Sequence, residues 1–212
     1  MGYIKTFLAL TLSCFVLTAC GVKDPDATRD LNLGDFRLGH NIVVTKNARK
    51  IGPTREATAE EWETLLEGEI EKQFGGYEGD KLYHLGINLD GYALAVPGVP
   101  VLLSPKSVLV ISLTVWDDAA AKKLNEPPRQ LTIFEQLDGG TVFGSGITRD
   151  REEQMNNLAT QMSAAIGRFL VANSEWFGVT PTEEDRAAAE EDVLKIPDNL
   201  PDGATDADVP AT

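Results

Sequence analysis

Apolar positions along the chain recur with period two in some stretches and with helical period in others, and the two kinds alternate from residue 40 onward. The β-branched run Ile42-Val43-Val44-Thr45, bounded by Gly39 and Asn47, predicts a first strand over His40 to Lys46, and Pro53 ends any extension. At Thr58 the pattern changes. Thr58 with Glu61 three residues on matches a capping box, Trp62, Leu65, Leu66, Ile70 and Phe74 follow at helical spacing, and Gly75-Gly76 stops the helix. Its polar face, with Glu60, Glu61, Glu63, Glu67 and Glu71, has the composition of a solvated surface, and acids in the first turn suit the helix dipole.

From Leu82 to Leu89, Tyr83, Leu85, Ile87 and Leu89 alternate with His84, Gly86, Asn88 and Asp90, the pattern of a half-buried strand. The alternation resumes at Tyr92, Leu94 and Val96, so Asp90-Gly91 is a bulge or a tight turn. Val108 to Trp116 is nearly continuous in β formers, as in a central strand covered on both faces. Gln130 to Glu135 predicts another strand, joined through Asp138-Gly139-Gly140 to Thr141–Ile147 as a hairpin. Arg149 to Phe177 holds a second helix with an apolar stripe at Met155, Leu158, Met162, Ile166, Phe169 and Leu170.

The expected fold class is α/β (α+β): a two-layer mixed sheet of about five strands with two long helices packed on one face. The first strand–helix–strand unit is expected to be a right-handed parallel crossover, the remainder antiparallel. The 212 residues suit one domain with tails. The expected division is a signal segment at 1–19, a tether at 20–38, a single domain at 39–178 and an acidic, mostly disordered tail at 179–212. Within that tail, Thr182 to Lys195 can form a short solvated helix.

The formal net charge is −14. Residues 181–212 hold ten Asp and Glu against two Lys and Arg, so much of the excess sits in the tail. This balance argues against nucleic-acid binding and against a polybasic membrane mode. Both cysteines fall in the first 20 residues, which excludes a disulfide framework or zinc site in the body.

Those first residues have the plan of an export signal: Lys5 as the sole charge, then an apolar stretch from Phe7 to Leu17 too short to span a membrane. The stretch ends in Leu17-Thr18-Ala19-Cys20-Gly21, which resembles the lipobox of bacterial lipoproteins. The resemblance implies lipidation of Cys20, cleavage before it and anchoring through two or three acyl chains. Gly21, in place of an aspartate, favours the outer membrane, periplasmic face, by the enterobacterial sorting rule, with the inner membrane as the alternative. The membrane would thus be held through Cys20.

Candidate chemistry in the body is sparse. His40 and His84 are its histidines, and neither a nucleophile elbow nor a phosphate loop occurs. The hairpin setting of Gly144-Ser145-Gly146 explains Ser145 better than a nucleophile does. His84 and Asp90 share a strand face yet are too far apart along it to pair. Asp117-Asp118, after the central strand, is a carboxylate pair that supplies one or two cation ligands or, more simply, a turn. No cofactor is implied. Interaction surfaces include a strand edge open to strand addition, the apolar loop Val99–Leu103, and Trp176-Phe177, which otherwise close the helix end over the core.

Over residues 40–177, the strand Val108–Trp116, the hairpin at Asp138-Gly139-Gly140 and the helix from Arg149 resemble small α/β domains of envelope lipoproteins. Those domains are the auxiliary lipoproteins of lipid-transport ABC systems and the curli-secretion and Tol-type amino-terminal domains. No family site residue carries over. The resemblance implies a non-enzymatic subunit or accessory of a cell-envelope complex with protein partners. The competing expectations are a hydrolase or metal-dependent enzyme using Asp117, Asp118 and His84, and a carrier of a small apolar ligand.

Overall fold

Helix α1 (Ala59–Phe74) starts where the sequence places it. Thr58 accepts the Glu61 amide while the Glu61 carboxylate accepts the Thr58 amide, and Trp62, Leu66, Ile70 and Phe74 are buried along one face. The computed structural model describes residues 31–96, 107–135 and 149–194. Residues 1–30 with Cys20, the loop Val99–Leu103, the predicted hairpin with Ser145, and residues 195–212 lie outside the described residues.

Among the described residues, six strands form one mixed sheet: β1 (Phe36–Val44), β2 (Arg49–Lys50), β3 (Lys81–Ala93), β4 (Val108–Asp117), β5 (Lys122–Lys123) and β6 (Arg129–Phe134). β1 and β2 run parallel to β3 on one side, β4 is antiparallel on the other, and β5 and β6 pair antiparallel with β4. Helix α2 (Arg151–Ala172) lies beside α1 on the same face of the sheet, and a short 3-10 turn (Ser174–Phe177) and α3 (Glu183–Leu194) follow. This is the mixed two-layer architecture the pattern predicts.

The covered face is the core. Leu85, Ile87 and Leu89 of β3 and Leu109, Ile111, Leu113 and Val115 of β4 meet the apolar faces of both helices. At one end Phe36 stacks on Tyr83, with ring centroids 5.6 Å apart, and takes Phe177 edge-on at 5.2 Å. The Tyr83 hydroxyl donates to the Trp176 carbonyl at 3.0 Å, so the 3-10 turn closes the core as expected of Trp176-Phe177. Burial, with the Asp117 and Asp35 carboxylates adding to it, raises the Tyr83 phenol and keeps it a donor.

Three features differ from the sequence reading. β1 begins at Phe36, inside the segment 20–38 read as a tether, and Leu33 and Phe36 are buried, so the folded body starts before residue 39. The cause is a bulge: the register with β3 slips between Leu38 and Asn41, two residues of β1 opposing His84 alone, so inward positions switch from the even set (Phe36) to the odd set (Val43, Thr45). At the other end α3 is only partly solvated. Pro181 and Ala189 are buried and the helix packs on α2 and β6. Finally, β4 is central but covered on one face only: Ser112 and Thr114 are half-buried and Trp116 is exposed. The Asp90-Gly91 irregularity is a bulge, with β3 continuing through it.

No helix among the described residues is long and apolar enough to cross a membrane.

Candidate functional site

The uncovered sheet face carries the body's two histidines. Antiparallel pairing sets His84 opposite Trp116, and the β1 bulge brings Gly39 and His40 to its other side. The His40 amide donates to His84 Nδ1 at 2.9 Å, and the two rings stack with centroids 5.0 Å apart. Because Nδ1 accepts that proton, the neutral ring carries its own hydrogen on Nε2, which donates to Asp118 Oδ1 at 3.0 Å. A Cβ on Gly39 would lie 2.6 Å from His84 Nδ1 and Cε1, so glycine is required for the ring to enter the bulge.

This geometry brings together two of the three residues of the enzymatic reading, His84 and Asp118, and gives each ring nitrogen of His84 a hydrogen-bond partner. A general base needs an imidazole nitrogen free to take a proton from a nucleophile or water. In His84 one nitrogen holds the backbone of β1 and the other the turn after β4. Asp118 is fixed there by its own amide, which donates to the Leu82 carbonyl at 3.2 Å. Asp117 is turned away to accept the Ala120 amide at 2.9 Å, the turn role expected of it. Asp90 is also placed elsewhere, accepting from Ser112 Oγ at 2.6 Å, Gln130 Nε2 at 3.4 Å and Asn88 Nδ2. Among the described residues no group of three or more His, Cys, Asp or Glu could hold a metal ion.

Three of the α1 glutamates read as solvated surface have specific partners. Glu67 accepts the Val43 amide at 3.2 Å and Glu63 accepts from Thr45 Oγ1 at 2.7 Å, so α1 occupies the outer edge of β1 where a further strand would add. Glu61 takes both arms of the Arg151 guanidinium, at 2.7 and 2.9 Å. That fork, followed by the Thr58 amide, pulls the Glu61 carboxyl down to about 2. It fixes the amino-terminal ends of α1 and α2 side by side, and between the helices runs an open groove of about 640 Å³ bordered by Leu65, Gly68, Glu69 and Met155.

At the end of the sheet remote from His84, a buried polar knot joins β3, β4, β6 and α2. Arg149 donates to Glu135 at 3.1 Å, Gln154 donates to the Ala95 carbonyl at 3.2 Å, and the Ala95 amide donates to Ser107 Oγ at 3.1 Å.

Sequence reasoning missed Gly39, Trp116 and the outward pair Ile42 and Val44. Ser112 and Thr114 within the β4 run were the available signal that one face of that strand is uncovered.

No protein-family model matches the chain, and no curated protein matches it. Among solved structures, it is similar to a Xanthomonas campestris protein of the DUF330 family, at 12% identity, 68% of this chain, 88% of that chain and TM-score 0.42. It is also similar to a candidate lipoprotein from Caulobacter crescentus, at 9% identity, 74% of this chain, 99% of that one and TM-score 0.36. A minor lipoprotein from Acinetobacter baumannii matches at 16% identity, 59% of this chain, 91% of that one and TM-score 0.23.

Proposed function

We propose that the protein is a lipid-anchored lipoprotein of the bacterial envelope, held at the periplasmic face of the outer membrane through Cys20, and that it serves a multiprotein envelope complex as a non-enzymatic subunit. The observation that carries this reading is the order Leu17-Thr18-Ala19-Cys20 directly after an apolar segment of signal length. The engagement of both His84 nitrogens supports a binding role over a catalytic one. A carrier of an apolar ligand would need space between sheet and helices, and Trp62, Leu66, Ile70 and Phe74 fill that layer.

Mass spectrometry of the amino terminus of protein extracted from membranes tests the anchor. A diacylglyceryl group on Cys20 is expected, and Cys20→Ala should move the protein out of the membrane fraction. An unmodified Cys20, or cleavage elsewhere, would overturn the anchor. Cross-linking in the intact envelope tests the complex: recovery of specific protein partners is expected, and a solitary monomer would count against it.

A further inference from the structure

The chain enters the body at one particular end. The Leu31 amide donates to the Tyr77 hydroxyl at 2.9 Å and the Asp35 amide to the Phe177 carbonyl at 3.0 Å, so the first described residues lie where β1 begins and β4 ends. Residues 21–31 have a contour of about 36 Å. The thirteen residues of β3 carry the sheet about 43 Å away from that end. A membrane anchor at Cys20 therefore holds the end at which the chain enters within about 36 Å of the bilayer, so the face beside it is within reach of lipid.

From that end to the middle of the sheet, the uncovered face exposes apolar side chains. Ile42 is 57% exposed, Val44 44%, Trp116 37% and Leu82 36%. They surround Gly86 and Thr114, with Lys123 beside Trp116 in register. Asp118, held by His84, and Asp90, held by Ser112, Gln130 and Asn88, are carboxylates of this face whose donors order them without cancelling their charge.

We infer that this face, centred on Trp116 and Ile42, lies on the lipid surface to which Cys20 ties the chain. The inference rests on the anchor reading above. From Leu82 to Asn88 and across three strands the patch measures roughly 20 by 10 Å, about 200 Å² in projection, against about 800 Å² per partner in a stable protein interface. A tethered contact needs far less intrinsic affinity, because a short tether supplies a high effective concentration. An indole with one apolar and one hydrogen-bonding edge suits the headgroup boundary, and a neighbouring ammonium can meet phosphate there.

The test couples the chain from Cys20 onward, whose sole thiol is Cys20, to maleimide-headgroup lipid in phosphatidylcholine vesicles with brominated acyl chains. Tryptophan emission is compared with that of Trp116→Phe, which isolates Trp116 from Trp62 and Trp176. The Trp116 component should be quenched by the brominated chains and lose its access to aqueous acrylamide. Ile42→Glu, on an exposed position that leaves the fold intact by circular dichroism, should restore acrylamide access to the level of the free protein. Equal acrylamide access in tethered and free protein, with no bromine quenching, would overturn the inference. So would sedimentation of the untethered protein as a dimer with Trp116 protected, which would assign the face to a second copy. Because the maleimide supplies the tether, failure of this contact is separate from failure of lipidation at Cys20.

Discussion

The two faces of the sheet are built from the same strands and serve different ends. On the covered face, inward residues of β3 and β4 are large, apolar and buried against α1 and α2. On the uncovered face, the same strands carry Gly86, Asn88, Ser112 and Thr114, and order comes from hydrogen bonds radiating from His84 and Asp90. The difference teaches that stability resides mainly in one layer, which leaves the other free to be shaped by contacts outside the chain.

The largest effect should come from the covered face. Phe36→Ala removes a ring in contact with Tyr83, Phe74, Tyr77 and Phe177 and should cost about 3–5 kcal/mol, measured from urea unfolding. Gly39→Ala, at the point where His84 fills the β1 bulge, should cost about 1–3 kcal/mol by overpacking. In the double variant with His84→Ala much of that cost should vanish, and strict additivity would break the link between bulge and ring.

A smaller effect should separate the helix layer from the sheet. Since the Arg151 fork, followed by the Thr58 amide, lowers the folded-state Glu61 carboxyl from 4.5 to about 2, the stabilisation is present above pH 4.5 and lost as pH falls through about 2. Arg151→Met should therefore reduce the acid dependence of the urea midpoint across that window, leaving the smaller part due to Thr58, with His84 resonances unchanged. Smallest of all, Val44→Ser on the uncovered face should shift stability by no more than about 0.5 kcal/mol. A loss comparable to that of Phe36→Ala would show that the face is part of the core after all.

What could be read from the sequence follows from how local each signal is. The Thr58–Glu61 box, the stripe from Trp62 to Phe74 and the alternation at Tyr83–Leu89 are set by neighbours a few residues apart, and all appear as expected. The Asp150–Glu153 box at the start of α2 is equally local and has the same spacing. The start of β1 is hidden because its bulge breaks the period-two pattern between Leu38 and Asn41. Its outer-edge partners, Glu63 and Glu67, look like any solvated glutamates until α1 is docked. The His84–Asp118 pair depends on strand register and the turn after β4, across 34 positions, which no spacing rule reports.

β1 runs directly away from the point at which the chain enters. A pull on Leu31 therefore draws β1 lengthwise against β3, loading its seven paired positions from Phe36 to Val44 together in shear instead of opening them one by one. Resistance of that kind is governed by the rate of unfolding under load. For a body attached at its amino terminus, this orientation places the join between tether and domain in a mechanically strong direction.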